Sequence, residues 1–233
     1  MSDQRRAELA AGLEQVHARI DQAARSAGRD PAEVTLVVVT KTFPASDVAL
    51  LADLGVRDVG ESRHPEARDK RQDSPSGLVW HFVGVLQSNK ARAIARYADV
   101  VHSVDRKRLV EPLSRGAADE ERTVRCLVQV NLDPEPSAAR AGCAPSEVPE
   151  LADLIAAADR LELGGVMAIA PQGVDPEPVF ARLAAIAADL RRDHPGATML
   201  SAGMTGDLEA AVRTGATHVR VGRAVLGTRP SDG

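Results

Sequence analysis

A (β/α)8 barrel of the TIM type, preceded by one extra helix, is the fold this sequence predicts, and three observations predict it. Eight short runs rich in β-branched residues alternate with seven helix-forming segments along the 233 residues. Several runs are apolar throughout instead of alternating, the pattern of parallel strands buried on both faces. No Pro/Gly/Ser-rich linker divides the chain, so residues 1–233 read as a single domain. A doubly wound open sheet is the runner-up, and it lacks a GxGxxG after the first strand.

The first element is a helix. Leu9, Leu13, Val16 and Ile20 recur on one face of a 3.6-residue period, and Gly28 and Pro31 stop it. The strand runs then follow in order: VTLVVV (34–39), RDVG (57–60), WHFVG (80–84), DVVHSV (99–104), VRCLVQV (124–130), LGGVMAI (163–169), TMLSA (198–202) and HVRVG (218–222). Between them lie amphipathic or alanine-rich segments such as 87–97, 146–159 and 177–192. In the last of these, Val179, Leu183, Ile186 and Leu190 form one apolar stripe. Residues 131–146 read as a long loop after the fifth strand.

Composition narrows the function. A net charge of −4 argues against a nucleic-acid or membrane-surface partner, which requires a basic face. No window is apolar enough for a transmembrane helix, and the charged opening MSDQRRAELA lacks the apolar core of a signal peptide. Cys126 and Cys143 have neither disulfide-framework nor zinc-site spacing. The expectation is a cytoplasmic monomer without a metal.

In a parallel barrel the working groups lie at the C-terminal ends of the strands. Lys41 ends the first strand and is one of only four lysines, with Lys70, Lys90 and Lys107. At a barrel mouth, desolvation disfavours an ammonium and makes the amine a nucleophile towards aldehydes. A solvated strand-end lysine is the plain alternative. After the seventh strand, Ser201 to Asp207 (SAGMTGD) opens a helix with Thr205 at the expected N-cap. After the eighth, Arg220, Gly222 and Arg223 lead into a short apolar turn. Loops at these two places form the recurrent phosphate site of such barrels. An aldehyde-reactive amine opposite a phosphate cradle points to a phosphorylated aldehyde, and pyridoxal 5′-phosphate (PLP) fits.

The chain also resembles the pyridoxal-phosphate homeostasis protein family, single-domain relatives of the alanine-racemase N-terminal barrel. The marks are VVVTKTFP around Lys41, GESRHPEARDK (60–70), WHFVGVLQSNKAR (80–92), VHSVD (101–105), QVN (129–131), GGVMAIAP (164–171), LSAGMTGD (200–207) and HVRVGRAVLGTR (218–229). They span nearly the whole chain, and their order and separations together are very specific. The resemblance implies PLP held as an aldimine on Lys41, its phosphate at Thr205 and Gly222, Arg220 facing the pyridine nitrogen, and Ser201 lining the site. It also implies a role in storing, protecting or delivering PLP without dedicated turnover, with apo PLP-dependent enzymes as recipients. The family reads Gly-Glu-Asn where this chain has Gly60-Glu61-Ser62, and Ser62 cannot donate an amide hydrogen bond. Arg140 stands where the family commonly has lysine.

Two other functions stay open at this point. One is a fold-type III amino-acid racemase, although the second proton-transfer base, commonly a tyrosine from a separate β domain, is missing and the single Tyr97 is expected far from any strand C-terminus. The other is an aldolase-like Schiff-base enzyme without PLP. Elsewhere, His81 and His102 read as satisfied core histidines, Asp105 as a helix cap, and Cys126 as core filling. Glu61 either orients Lys41 or forms a structural ion pair. Asn89 and Lys90 read as a solvated helix start, and the basic run of Arg63, His64, Arg68, Lys70 and Arg71 as a solvated helix face.

Overall fold

The computed structural model describes residues 2–133 and 141–228. An N-terminal helix, α1 (Ser2–Ser26), is followed by β1 (Thr35–Val39), α2 (Ala45–Asp53), β2 (Asp58–Glu61), α3 (Glu66–Gln72), β3 (Val79–Phe82), α4 (Ser88–Ala95) and β4 (Val100–Val104). The second half runs α5 (Val110–Asp119), β5 (Val124–Gln129), α6 (Val148–Ala157), β6 (Leu161–Met167), α7 (Pro176–Asp193), β7 (Met199–Ser201), α8 (Leu208–Arg213), β8 (His218–Val221) and α9 (Arg223–Leu226). All the strands are parallel, and β8 pairs with β1 to close the barrel.

Each expected strand is present, shifted by no more than about two residues, within the usual fraying of element ends. Strand residues pointing outward join the helices in one large shell that includes Val38, Val59, Val101, Val128, Val166 and Val219. Residues of the opposite parity point inward. They form a second, small apolar cluster, Val100, Leu127, Met167 and Met199, with Val79 packed against it. Nearer the mouth the interior turns polar, with His81, His102, Gln129, Ser201 and Arg220 all buried.

The extra helix packs on α8 and α9, the elements that follow β7 and β8. A Cβ on Gly12 would lie 2.6 Å from the Val225 carbonyl, so the α1–α9 contact demands glycine there. Arg19 donates to Glu209 and to the Thr205 carbonyl, at 2.6 and 2.8 Å. Arg5 pairs with Asp47 at 2.7 Å and donates to the Leu226 carbonyl. The first helix thus braces both C-terminal loops.

Candidate functional site

The β1 strand ends at Val39, and Lys41 stands two residues beyond it on a turn whose next residue, Thr42, has φ of 71°. That left-handed backbone is costly for a β-branched residue and needs an external hold. Lys70 supplies much of it. Its Nζ donates to the Thr40 carbonyl at 2.9 Å and to Glu61 at 2.5 Å, and also reaches Glu66 at 3.2 Å. Glu66 in turn accepts the Thr42 N–H at 2.9 Å, and Glu61 accepts the Thr40 hydroxyl at 2.7 Å. Burial pushes the Glu61 carboxyl up, against the pull of the Lys70 ammonium.

One sequence expectation is corrected here, and one open alternative is decided. Lys70 is 7% exposed and belongs to a buried ion pair, not to a solvated face. Glu61 forms the structural pair, and its partner is Lys70.

A cavity of 840 Å³ opens at the C-terminal mouth, within the range of about 300–1,000 Å³ usual for small-molecule sites. It gathers Lys41, Thr205, Arg220 and Gly222, with Ser62 and Arg223 also on its wall. Among the described residues Lys41, Arg220 and Arg223 face a single acidic residue there, Asp207, so a net-negative chain presents a cationic hollow. Among the described residues no group of His, Cys, Asp or Glu could hold a metal.

The loops after β7 and β8 form one side of the cavity, with Thr205, Gly206, Gly222 and Arg223 on its wall. The amides of Thr205 and Gly206 find no acceptor among the described residues, and Arg223 begins a helix whose first amides lack intrahelical partners. A Cβ on Gly222 would meet the Val39 carbonyl at 3.0 Å, so any side chain there would require the end of β1 to give by a few tenths of an ångström. Thr205 is not the N-cap of α8. That position is Asp207, whose carboxylate accepts the Met204 N–H at 2.6 Å and closes the turn. Thr205 is thereby left on the cavity wall.

Arg220 is 5% exposed, and burial pushes its pKa down to about 10. It donates to Ser201 Oγ at 2.6 Å and to the Ala168 carbonyl at 3.1 Å. Ser201 is fully buried behind Arg220, and the cavity wall does not include it. The donor set fits a phosphorylated aldehyde: an amine, amides without an acceptor among the described residues beside a glycine, and a guanidinium, all on one cavity wall.

The remaining expectations divide. Cys126 fills the core and burial pushes its thiol up to about 12. His81 and His102 are buried and hydrogen-bonded to each other at 2.8 Å, but His81 also meets a carboxylate, Asp58, that spacing did not reveal. Asp105 caps no helix: the short helical turn that follows has Arg106 at its N-cap, and the Asp105 carboxylate pairs with Arg106 instead. Tyr97 lies closer to a strand end than expected, its ring stacked on His64 in the loop after β2. It is buried, its hydroxyl is pushed up by desolvation, and it is not part of the cavity wall. Arg140 lies outside the described residues.

Comparison with known proteins agrees with this fold. The family model for the alanine racemase N-terminal domain matches residues 12–230. The pyridoxal phosphate homeostasis protein of Corynebacterium glutamicum is 40% identical over 222 residues, covering 92% of this chain and 99% of that protein. The structure of PipY from Synechococcus elongatus with PLP bound superposes with a TM-score of 0.78 at 35% identity, over 94% of this chain and all of the other. An alanine racemase of Clostridium difficile shares the fold at a TM-score of 0.72 and 16% identity, with 97% of this chain matching 58% of that one.

Proposed function

Since the chain belongs to the alanine racemase N-terminal domain family, and within it to the pyridoxal phosphate homeostasis proteins, we propose that it holds PLP on Lys41 and keeps it in reserve for the enzymes that need it. Bound PLP supplies an aldehyde that condenses with amines and a ring that withdraws electrons. The residues of this chain do the rest. Lys41 presents the amine from a turn locked by Lys70 and Glu66. Thr205, Gly206 and Gly222 receive the phosphate, with Arg223 adding charge. Arg220 faces the ring nitrogen and, as a cation, disfavours its protonation. That weakens the electron sink a racemase uses.

A carrier role without dedicated turnover follows from what the cavity offers a proton-transfer step. Among the described residues its titratable wall is Lys41, Asp207, Arg220 and Arg223, and Asp207 is engaged with the Met204 amide. Tyr97 is buried, stacked on His64, and is not part of the cavity wall. The protein acts as a monomer in this reading, and its recipients are apo PLP-dependent enzymes.

The observation that carries the proposal is the meeting of Lys41, Thr205, Arg220 and Gly222 in one cavity from three distant parts of the chain. Titration of the purified protein with PLP tests it. A visible absorption band saturating at one equivalent is expected, and Lys41→Ala abolishes it. A band of equal intensity in Lys41→Ala refutes the assignment. Steady-state racemisation of alanine that is lost in the same variant refutes the carrier role.

A further inference from the structure

Arg220 is a buried cation whose acceptors are a hydroxyl and a carbonyl, whereas buried charges ordinarily touch a counter-ion. The hydroxyl leads elsewhere. Ser201 Oγ lies 2.9 Å from His102 Nδ1, His102 Nε2 lies 2.8 Å from His81 Nδ1, and His81 Nε2 lies 2.9 Å from Asp58 Oδ1. Asp58 is the first residue of β2, at the end of the barrel opposite the cavity, and its side chain is 23% exposed. Between Asp58 and Arg220 every member of the series is buried.

The two ends fix its direction. A guanidinium only donates and a carboxylate only accepts. Ser201 Oγ takes the Arg220 N–H, and His102 Nδ1 is the partner within reach of its own proton. His102 then carries hydrogen on Nε2 and donates to His81, and His81 donates from Nε2 to Asp58. Every polar atom in the series is satisfied with both imidazoles neutral. Reversing a link strands the Ser201 proton in the interior without an acceptor. Burial, reinforced by His81 and Arg220, holds the His102 pKa well below its ordinary value, in keeping with a neutral ring.

We propose that Asp58, His81, His102 and Ser201 are positioning residues that set the Arg220 guanidinium against the ring-nitrogen end of the cofactor from the far end of the barrel. The proposal deepens the PLP reading above and rests on it. It concerns hydrogen bonding and not proton conduction, so glutamine, whose amide spans an acceptor and a donor much as an Nε2–H imidazole does, serves in place of His102.

Long-range 15N–1H NMR of the protein without cofactor tests the relay independently of any ligand. Neutral Nε2–H rings are expected for both His81 and His102 at pH 7. A doubly protonated ring, or an Nδ1–H tautomer at His102, overturns the relay. In PLP titrations, His102→Leu is expected to raise Kd about tenfold and to shift the visible maximum of the bound chromophore, and His102→Gln to restore both. Leu and Gln variants that behave alike overturn the positioning role. Borohydride reduction of the saturated wild type, followed by mass analysis, separates the two failures: no pyridoxyl group on Lys41 defeats the PLP reading, while the tautomer result judges the relay.

Discussion

Lys70 and Glu61 decide where the Lys41 amine stands, although neither lines the cavity. Together with Glu66 they hold both peptide groups that flank Lys41. Removing the cation alone leaves Glu61 buried beside its own unpaired Oε2. Lys70→Ala is therefore expected to destabilise the fold by about 3–5 kcal/mol in urea unfolding. The double variant Lys70→Met/Glu61→Leu should recover most of that stability while still binding PLP more weakly, because the Thr40 carbonyl and Thr42 turn lose their hold. Recovery of affinity along with stability contradicts the clamp. At the anion end, Thr205→Ala should lower PLP affinity about tenfold by deleting one hydrogen bond to a charged group, with Thr205→Ser near wild type in the same titration.

These roles were unevenly legible in the sequence. Lys41, Thr205, Arg220 and Gly222 stand next to strand ends, and strand ends can be read from apolar runs. The burial of Lys70 could not be, because a short charged helix gives no sign that one of its residues turns inward to a carboxylate on the preceding strand. The Asp58–His81 contact was hidden for a different reason: it depends on how β2 and β3 align, where Gly60 pairs with His81 and Asp58 reads as an ordinary strand-start residue.

Among the elements, α1 has the least expected consequence. It contributes no residue to the cavity wall, yet Gly12 touches the backbone of α9, and Arg19 ties the loop that carries Thr205. Gly12→Leu must push α9 away from α1, and the loop at Gly222 moves with it. An increase in PLP Kd of about tenfold or more is expected, with Lys41 still the attachment site. Arg19→Ala, at a half-exposed pair, should cost at most about 1 kcal/mol of stability but weaken PLP binding several-fold. Affinity unchanged in both variants would show that the first helix does not brace the anion loops. The helix itself was plain from its apolar stripe, whereas its docking site was not, since periodicity names the buried face and not what covers it.

The barrel as a whole was readable because strands buried on both faces leave runs of branched apolar residues, and because helices of ordinary length separate them. Its polar interior carries a pH dependence. The folded state pushes His218 down to about 4, mainly by burial, and burial likewise holds His102 well below its ordinary value, whereas in the unfolded chain both titrate near 6.5. The unfolded state therefore binds more protons below about pH 6.5, and stability falls as the pH is lowered from there towards 4. For His218 alone the loss is on the order of 3 kcal/mol. Urea midpoints measured across this range should decline, and His218→Asn should flatten the decline; a flat wild-type profile contradicts neutral buried histidines.

The account centres on one amine meeting one phosphate cradle across the barrel mouth. Reducing the PLP-treated protein with borohydride and mapping its peptides by mass spectrometry tests this most directly, because the chain offers only four lysines. A single pyridoxyl group on the peptide containing Lys41 is the predicted result. A label on Lys70, Lys90 or Lys107, or no label at all, contradicts it.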